Sequence, residues 1–278
     1  MNRDLLKRRV NQAWVTVLLV LFGFVALYPV YFVIVSSLKT RREYVSNLFG
    51  LPHQLAFANY AEVFDRFNLW RALFNSVVVT AGAVLICGVL SLVLAYAVTK
   101  MRLPFRNVIF VFVIGTLVLP VQTILFPLYQ TLVSLHFVGH YWGLMIAFAT
   151  FLLPLSVYLL AAYFKGVPDE LIDAARVDGT NHGQIVWRLM VPLAMPAVAT
   201  VVVIDTLQFF NDILLPLLIL PESNRTTLMV HIMLFRGQND LSVPLLSAGL
   251  FIAMLPVVIA YLIGQKQLIK GLTAGAVK

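Results

Sequence analysis

Charge is scarce in this chain. Asp, Glu, Lys and Arg make up only 12% of its 278 residues and 61% are hydrophobic, whereas a soluble domain carries about 25% charged residues. A water-soluble globular fold is therefore excluded. Cysteine is nearly absent too: Cys87 stands alone inside an apolar run, which rules out an internal disulfide and a multi-cysteine metal site and leaves it as a packing residue. No G-x-x-x-x-G-K-[ST] phosphate cradle occurs, so an ATP site of that type is missing. His53, His136, His140 and His231 are scattered without ligand spacing, so no metal is expected. No nucleophile and base are paired as an enzyme would need. Fixed-period repeats and low-complexity linkers are also lacking, which makes one membrane domain the simplest partition.

Long apolar runs dominate what is present. A helix needs about 20 apolar residues to cross a bilayer, and six segments qualify: 14–35, 74–98, 105–126, 142–164, 191–216 and 245–264. The first exceeds the roughly 7 to 15 residues of a signal-peptide core and has no A-x-A exit, so it reads as an uncleaved span. The formal net charge of +8 has no polar domain to carry a nucleic-acid face. It matches basic residues retained on the cytoplasmic side. Of the 20 Lys and Arg residues, thirteen fall in the segments on one side of the six spans, both termini included, and seven in the longer loops opposite. The positive-inside rule then makes both termini cytoplasmic. The outer segment 36–73 is expected to form short helices.

This topology puts the polar stretch DAARVDGTNHGQIVWRLMVP, residues 173–192, in a cytoplasmic loop. Pro168 suits the first position of a helix, and Asp169, Glu170 and Asp173 suit its positive N-terminal end. Leu171, Ala174, Ala175 and Asp178 recur at helical spacing and form a narrow face of small residues ending in a carboxylate. Gly179 suits the left-handed closing position. Asn181 suits the cap of a second helix, striped by Ile185, Leu189 and Met190. Such a helix-turn-helix serves either as an elbow resting on lipid headgroups or as a docking face. Arg176 likewise fits a docking contact or a lipid phosphate, and His182 fits a docking contact or plain solvation.

The fifth span holds the other polar cluster. Asp205, Gln208 and Asp212 fall within about 60° of one another on a straight helix at 100° per residue, and Asn211 lies about 100° beyond Asp212. They are expected to define one polar stripe. An ionised carboxylate at the bilayer centre costs at least ~2.5 kcal/mol, so Asp205 calls for a solute pathway or gate, a buried structural hydrogen bond, or a coupled proton. Prolines 120, 127, 154, 192, 196, 216 and 256 mark hinges or simple curvature of the spans.

Several stretches resemble one family. Asp173-Ala174-Ala175, then Asp178-Gly179, then Pro192, are similar to the E-A-A-x-x-D-G loop of ABC importer permeases, with Asp173 in place of Glu and Thr180 where Ala is common. Phe210-Asn211-Asp212 with Pro216-Leu217 resembles the W-N-D…P-L segment of carbohydrate-type permeases. Thr226-Thr227-Leu228 resembles their outer T-L element, and residues 271–278 resemble the tail of maltose-type permeases. The resemblance implies an all-α membrane protein of six transmembrane helices in the type I ABC importer arrangement. Its parts would be an N-terminal segment, first helix and outer loop (1–72), a permease core (73–265) and a cytoplasmic tail (266–278).

It further implies a non-enzymatic subunit of an ATP-driven, binding-protein-dependent sugar importer in a cell inner membrane. Its partners would be a second, related permease, two cytoplasmic ATPase subunits that bind ATP and Mg, and an extracytoplasmic sugar-binding protein. By the same resemblance, Asp169, Glu170, Asp173, Ala174, Ala175, Arg176, Asp178 and Gly179 form the ATPase-coupling helix, and closure of the ATPase pair drives alternating access through residues 165–191. Asp205, Gln208, Asn211 and Asp212 border the translocation path, and Gly271, Leu272, Thr273, Ala274 and Gly275 reach the ATPases. The rival reading is an ion-coupled secondary transporter or channel subunit that uses Asp205 and Asp212. A membrane scaffold that carries no solute is a third.

Overall fold

A computed structural model describes residues 3–221, 224–235 and 242–276, and side chains for 12–65, 68–221, 224–234 and 242–266. The N-terminal apolar run forms one long helix, α1 (Arg3–Ser37), whose residues from Trp14 to Leu27 lie almost wholly exposed, as an element surrounded by lipid requires. Two short helices follow, α2 (Arg41–Ser46) and α3 (Ala58–Phe67), as expected for the outer segment. Then come α4 (Leu69–Lys100), α5 (Arg106–Gly115) with a 3-10 turn over Thr116–Val118, α6 (Val121–Ser134) and α7 (Tyr141–Lys165). The polar loop supplies α8 (Asp169–Val177) and α9 (His182–Gln184), and a π-helical turn (Ile185–Met190) leads to α10 (Val191–Leu193) and α11 (Met195–Asn211). The chain ends with α12 (Leu214–Ile219), α13 (Leu228–Phe235) and α14 (Val243–Ala276). The described residues contain no strand.

Four helical stretches are each long and apolar enough to cross a membrane: Gln12–Ser37, Leu69–Lys100, Tyr141–Lys165 and Val243–Lys266. The other two expected spans are not straight. Arg106–Val118 and Val121–Ser134 meet at 108°, and His182–Leu193 and Met195–Asn211 at 86°, giving six spans when each bent pair is counted once. Proline causes both breaks. Leu119, before Pro120, is driven to extended backbone (φ −74°, ψ 127°), because the following ring clashes with a helical predecessor. Pro196, near the start of α11, donates no helical hydrogen bond and crowds the carbonyl four residues back, and the chain turns at Ala194 (φ −93°, ψ 13°).

The chain divides into two compact units. Met1–Asn68 with Leu234–Ile252 form the first. There the fully buried Lys39 donates to the carbonyls of Asn47 (2.6 Å) and Leu48 (3.1 Å), and the Asn59 amide donates to those of Ser37 (2.7 Å) and Lys39 (2.9 Å). These bonds close the turn between α1 and α2.

Leu69–Met233 with Ala253–Lys278 form the second unit. Within it α4 and α7 lie so close that a Cβ on Gly82 would sit 2.5 Å from the Met145 sulfur. One apolar cluster gathers Leu92, Tyr96, Leu160, Phe164, Ile172 and Met190 at the loop end. A second gathers Val79, Leu144, Phe148, Phe209 and Leu215, with the Phe148 and Phe209 rings stacked at 4.8 Å. This frame holds both polar clusters read from the sequence.

Candidate functional site: the polar loop and the intramembrane carboxylate

Helix α8 begins with Asp169 and Glu170 in its first turn and ends with Arg176 in its last, matching its dipole at both ends. Pro168 stands just outside, as the extended residue before the helix (φ −58°, ψ 136°), rather than at its first position. Gly179 takes the expected left-handed conformation (φ +78°). The Gly179 and Thr180 amides close the helix on the carbonyls of Arg176 (3.0 Å) and Ala175 (3.1 Å). Asn181 caps the next helix in a reciprocal box with Gln184: the Gln184 amide donates to the Asn181 side chain (2.9 Å) and the Asn181 amide to the Gln184 side chain (3.0 Å). The hinge of the loop is thus built from Gly179 and Asn181, as their residue types suggest.

The small-residue face is narrower than the spacing implies. Ile172 is buried and Ala175 packs against the loop-end cluster, whereas Leu171, Ala174 and Asp178 point outward. Ala175 turns inward because it shares the face of Ile172, three residues before it. Val177 joins the outward face with 88% of its surface exposed, and Leu171 with 43%. Glu170, Asp173 and Gly179 are exposed as well. Arg176 makes a loose ion pair with Asp173 (3.5 Å), one turn back on the same helix, and its guanidinium also interacts with the Tyr96 hydroxyl.

Contacts absent from the sequence reading tie the loop to α4. The Lys100 ammonium donates to the Val167 carbonyl and to the Asp169 carboxylate, each at 2.5 Å. This ion pair and hydrogen bond hold the Asp169 carboxyl below the usual carboxylate value of 3.8. His182 is not simply solvated: its Nδ1 lies 3.0 Å from the Tyr96 hydroxyl. Lys100 served only as a topology marker in the sequence, and no local pattern signals its pairing across 69 positions.

The expected polar stripe of the fifth span divides. Asp205 is fully buried and turns inward, where the Ser156 hydroxyl donates to its two oxygens (3.0 and 3.3 Å) and the Cys87 thiol reaches Ser156 at 3.7 Å. Gln208 and Asn211 are exposed, and Asn211 donates to the Leu207 carbonyl one turn back (2.7 Å). Asp212 is not on the helix at all. Helix α11 stops at Asn211, and the Asp212 carboxylate accepts the Leu215 amide (2.9 Å) at the start of α12. The stripe presupposed a straight helix through residue 216. Asp205 therefore joins α11 to α7 and α4, and Asp212 begins a helix, which leaves the ion-coupled reading without a shared carboxylate site. Cys87, read as packing, belongs to the Asp205 chain.

On the other side of the second unit, the Asn75 amide donates to the Thr226 carbonyl (3.0 Å), and the Leu228 amide donates to the Ser76 hydroxyl (2.7 Å), so the T-T-L element lies buried against α4. A cavity of about 500 Å³ opens where α5, α6 and α7 meet, lined by Phe112, Leu117, Ile124, Phe151 and Pro154. Its apolar lining does not suit a polyhydroxylated solute. No group of His, Cys, Asp or Glu able to hold a metal occurs among the described residues. The backbone of Gly271, Leu272, Thr273, Ala274 and Gly275 continues α14, and their side-chain contacts lie outside the described residues.

Residues 87–273 match the family described as binding-protein-dependent transport system inner membrane component, and the chain belongs to that family. It is a multi-pass membrane protein of the permease class. It is 32% identical to a probable starch degradation products transport system permease of Thermoanaerobacterium thermosulfurigenes over 98% of this chain and 99% of the relative. It is 30% identical to a melibiose/raffinose/stachyose import permease of Bacillus subtilis over 90% and 91%, and 29% identical to an arabinooligosaccharides permease of the same organism over 95% and 94%. Among solved structures, a bacterial ABC transporter involved in alginate import contains a chain that matches with a TM-score of 0.84 at 24% identity, covering 96% of this chain and 98% of that one. At that identity the match establishes the fold, that of an ABC importer permease.

Proposed function

We propose that this chain is one permease of an ATP-driven, solute-binding-protein-dependent importer of sugars or oligosaccharides. The relatives named for starch products, melibiose-type sugars and arabinooligosaccharides support the substrate class. In this reading ATP and Mg are bound by two cytoplasmic ATPase subunits. A related second permease completes the pathway, an extracytoplasmic binding protein delivers the solute, and both termini face the cytoplasm. The permease core is residues 73–265, and the tail 266–278 reaches toward the ATPases.

The observation that carries the coupling role is the outward face of α8. Leu171, Ala174 and Val177 present apolar surface on a polar loop, and exposed apolar surface rimmed by polar groups marks a partner site. Asp173, Asp178 and Arg176 supply the polar rim, with Asp169, Glu170 and Gly179 at the two ends of the helix. Closure of the ATPases would move α8 and, through the short connections 166–168 and 178–181, the spans on either side. Asp205 acts in this reading as a lock between spans, since its oxygens are taken by Ser156, and Gln208 and Asn211 are the side chains left to face the pathway.

The test is purification of the native complex followed by reconstitution into proteoliposomes. Uptake that needs ATP, the ATPase chains and the binding protein together is the expected result. Uptake driven by an ion gradient with no ATPase present would overturn the proposal.

A further inference from the structure

The end of α4 presents Tyr96 and Lys100 one helical turn apart, on the same face. Lys100 holds the start of α8 through the Val167 carbonyl and the Asp169 carboxylate, each at 2.5 Å. Tyr96 meets His182, the first residue of α9, at 3.0 Å, with the two rings edge-on at 5.9 Å. One helix end therefore grips the first turn of both helices in the loop. Between these grips Ile172 and Ala175 rest on the cluster that contains Leu92, Ala95 and Tyr96.

These contacts meet a mechanical need. Only residues 166–168 join α7 to α8, and only 178–181 join α8 to α9, so the covalent connections alone leave α8 free to swivel about its ends. A tether near each connection removes that freedom. The side chain of Lys100 is 5% exposed and that of Asp169 is 78% exposed: the cation is sheltered in the bundle and reaches out to the loop.

We propose that Lys100 and Tyr96 are positioning residues for energy coupling. They fasten the polar loop to α4, so that displacement of α8 by a docked ATPase drives the α4–α7 body as one piece. The proposal rests on the reading of α8 as the ATPase-docking helix.

The experiment uses the reconstituted complex with its ATPases and binding protein, comparing Lys100→Met, Lys100→Arg and Tyr96→Phe, and reads solute imported per ATP hydrolysed. Lys100→Met should lower that ratio at least about tenfold while the ATPases still co-purify, Lys100→Arg should restore most of it, and Tyr96→Phe should lower it by a smaller factor. A ratio within twofold of wild type in Lys100→Met, or no recovery in Lys100→Arg, overturns the proposal. If Lys100→Met does not assemble, Asp169→Asn combined with Tyr96→Phe is judged by the same ratio. A cross-link from Ala174→Cys to an ATPase chain, measured in parallel, separates the two readings: its absence removes the docking role, whereas its presence with unchanged coupling removes the tether alone.

Discussion

The Ser156 hydroxyl of α7 donates to both carboxylate oxygens of Asp205 on α11, at 3.0 and 3.3 Å, with both side chains buried. A hydrogen bond between membrane helices contributes about 0.6 kcal/mol on average and up to ~1.7, whereas a carboxylate at mid-bilayer costs ~2.5–3.5 kcal/mol. The bond alone does not offset the burial, and in the proposed reading of Asp205 as a lock the carboxylate fixes the register of α11 against α7 rather than adding net stability. Asparagine preserves the shape and the acceptor. Asp205→Asn should therefore retain uptake within about threefold, while Asp205→Leu should lower uptake at least tenfold with the ATPases still bound. Uptake rates in proteoliposomes check both, and equal loss in the two variants would favour a charged gate.

Ser156→Ala removes the hydroxyl that donates to both oxygens and leaves the buried carboxylate with one donor fewer beside the Cys87 thiol. A lost buried partner costs about 1–3 kcal/mol, so the thermal unfolding midpoint of the purified complex should fall by several degrees. Ser156→Thr, which keeps the hydroxyl, should recover part of the loss.

Gly179 has a φ of +78° and nothing within 4 Å of the place where a Cβ would stand. The cost of Gly179→Ala is therefore backbone strain alone, about 1–2 kcal/mol, and Gly179→Asn should cost less because Asn tolerates the left-handed region. Hydrogen exchange over residues 169–184 should accelerate in that order.

Charge reversal on the outward face, Asp173→Lys or Asp178→Lys, should uncouple hydrolysis from uptake by about an order of magnitude without altering the bundle, since both side chains are exposed. The ratio of ATP hydrolysed to solute imported measures it. Normal coupling in both variants would remove them from the joint.

The Lys100–Asp169 pair gives a pH dependence of definite sign. The folded-state value of Asp169 is held below its ordinary 3.8 by Lys100, so its contribution is complete above the unfolded value and disappears as pH falls through the lower folded one. Protection of the 166–170 amides should be flat from pH 8 to pH 5 and drop below about pH 4. In Lys100→Met that acid step should be missing.

The spans, the helix-turn-helix and its hinge were legible because each follows from local chemistry: apolar length, Gly179 at a left-handed position, Asn181 at a cap. The two bends were half-legible. Pro120 and Pro196 stood out as breakers, but whether a proline kinks a helix or reverses its course depends on what packs around it. The stripe of the fifth span was misread because it extended α11 past Asn211, where Asp212 satisfies the start of a new helix instead. Contacts between distant positions were invisible: nothing local in Lys100, Tyr96, Cys87 or Ser156 names Asp169, His182 or Asp205 as a partner.

The role of α8 as the receiving surface for a nucleotide-hydrolysing subunit is tested most directly by cross-linking from Ala174→Cys and Val177→Cys in the assembled transporter. The native thiol, Cys87, is buried and gives little background. A cross-link to an ATPase chain from both positions, with labelling by thiol reagents only from the cytoplasmic side, is the predicted result. Labelling from outside the cell, or the absence of any cross-link to an ATPase in an active complex, would contradict it.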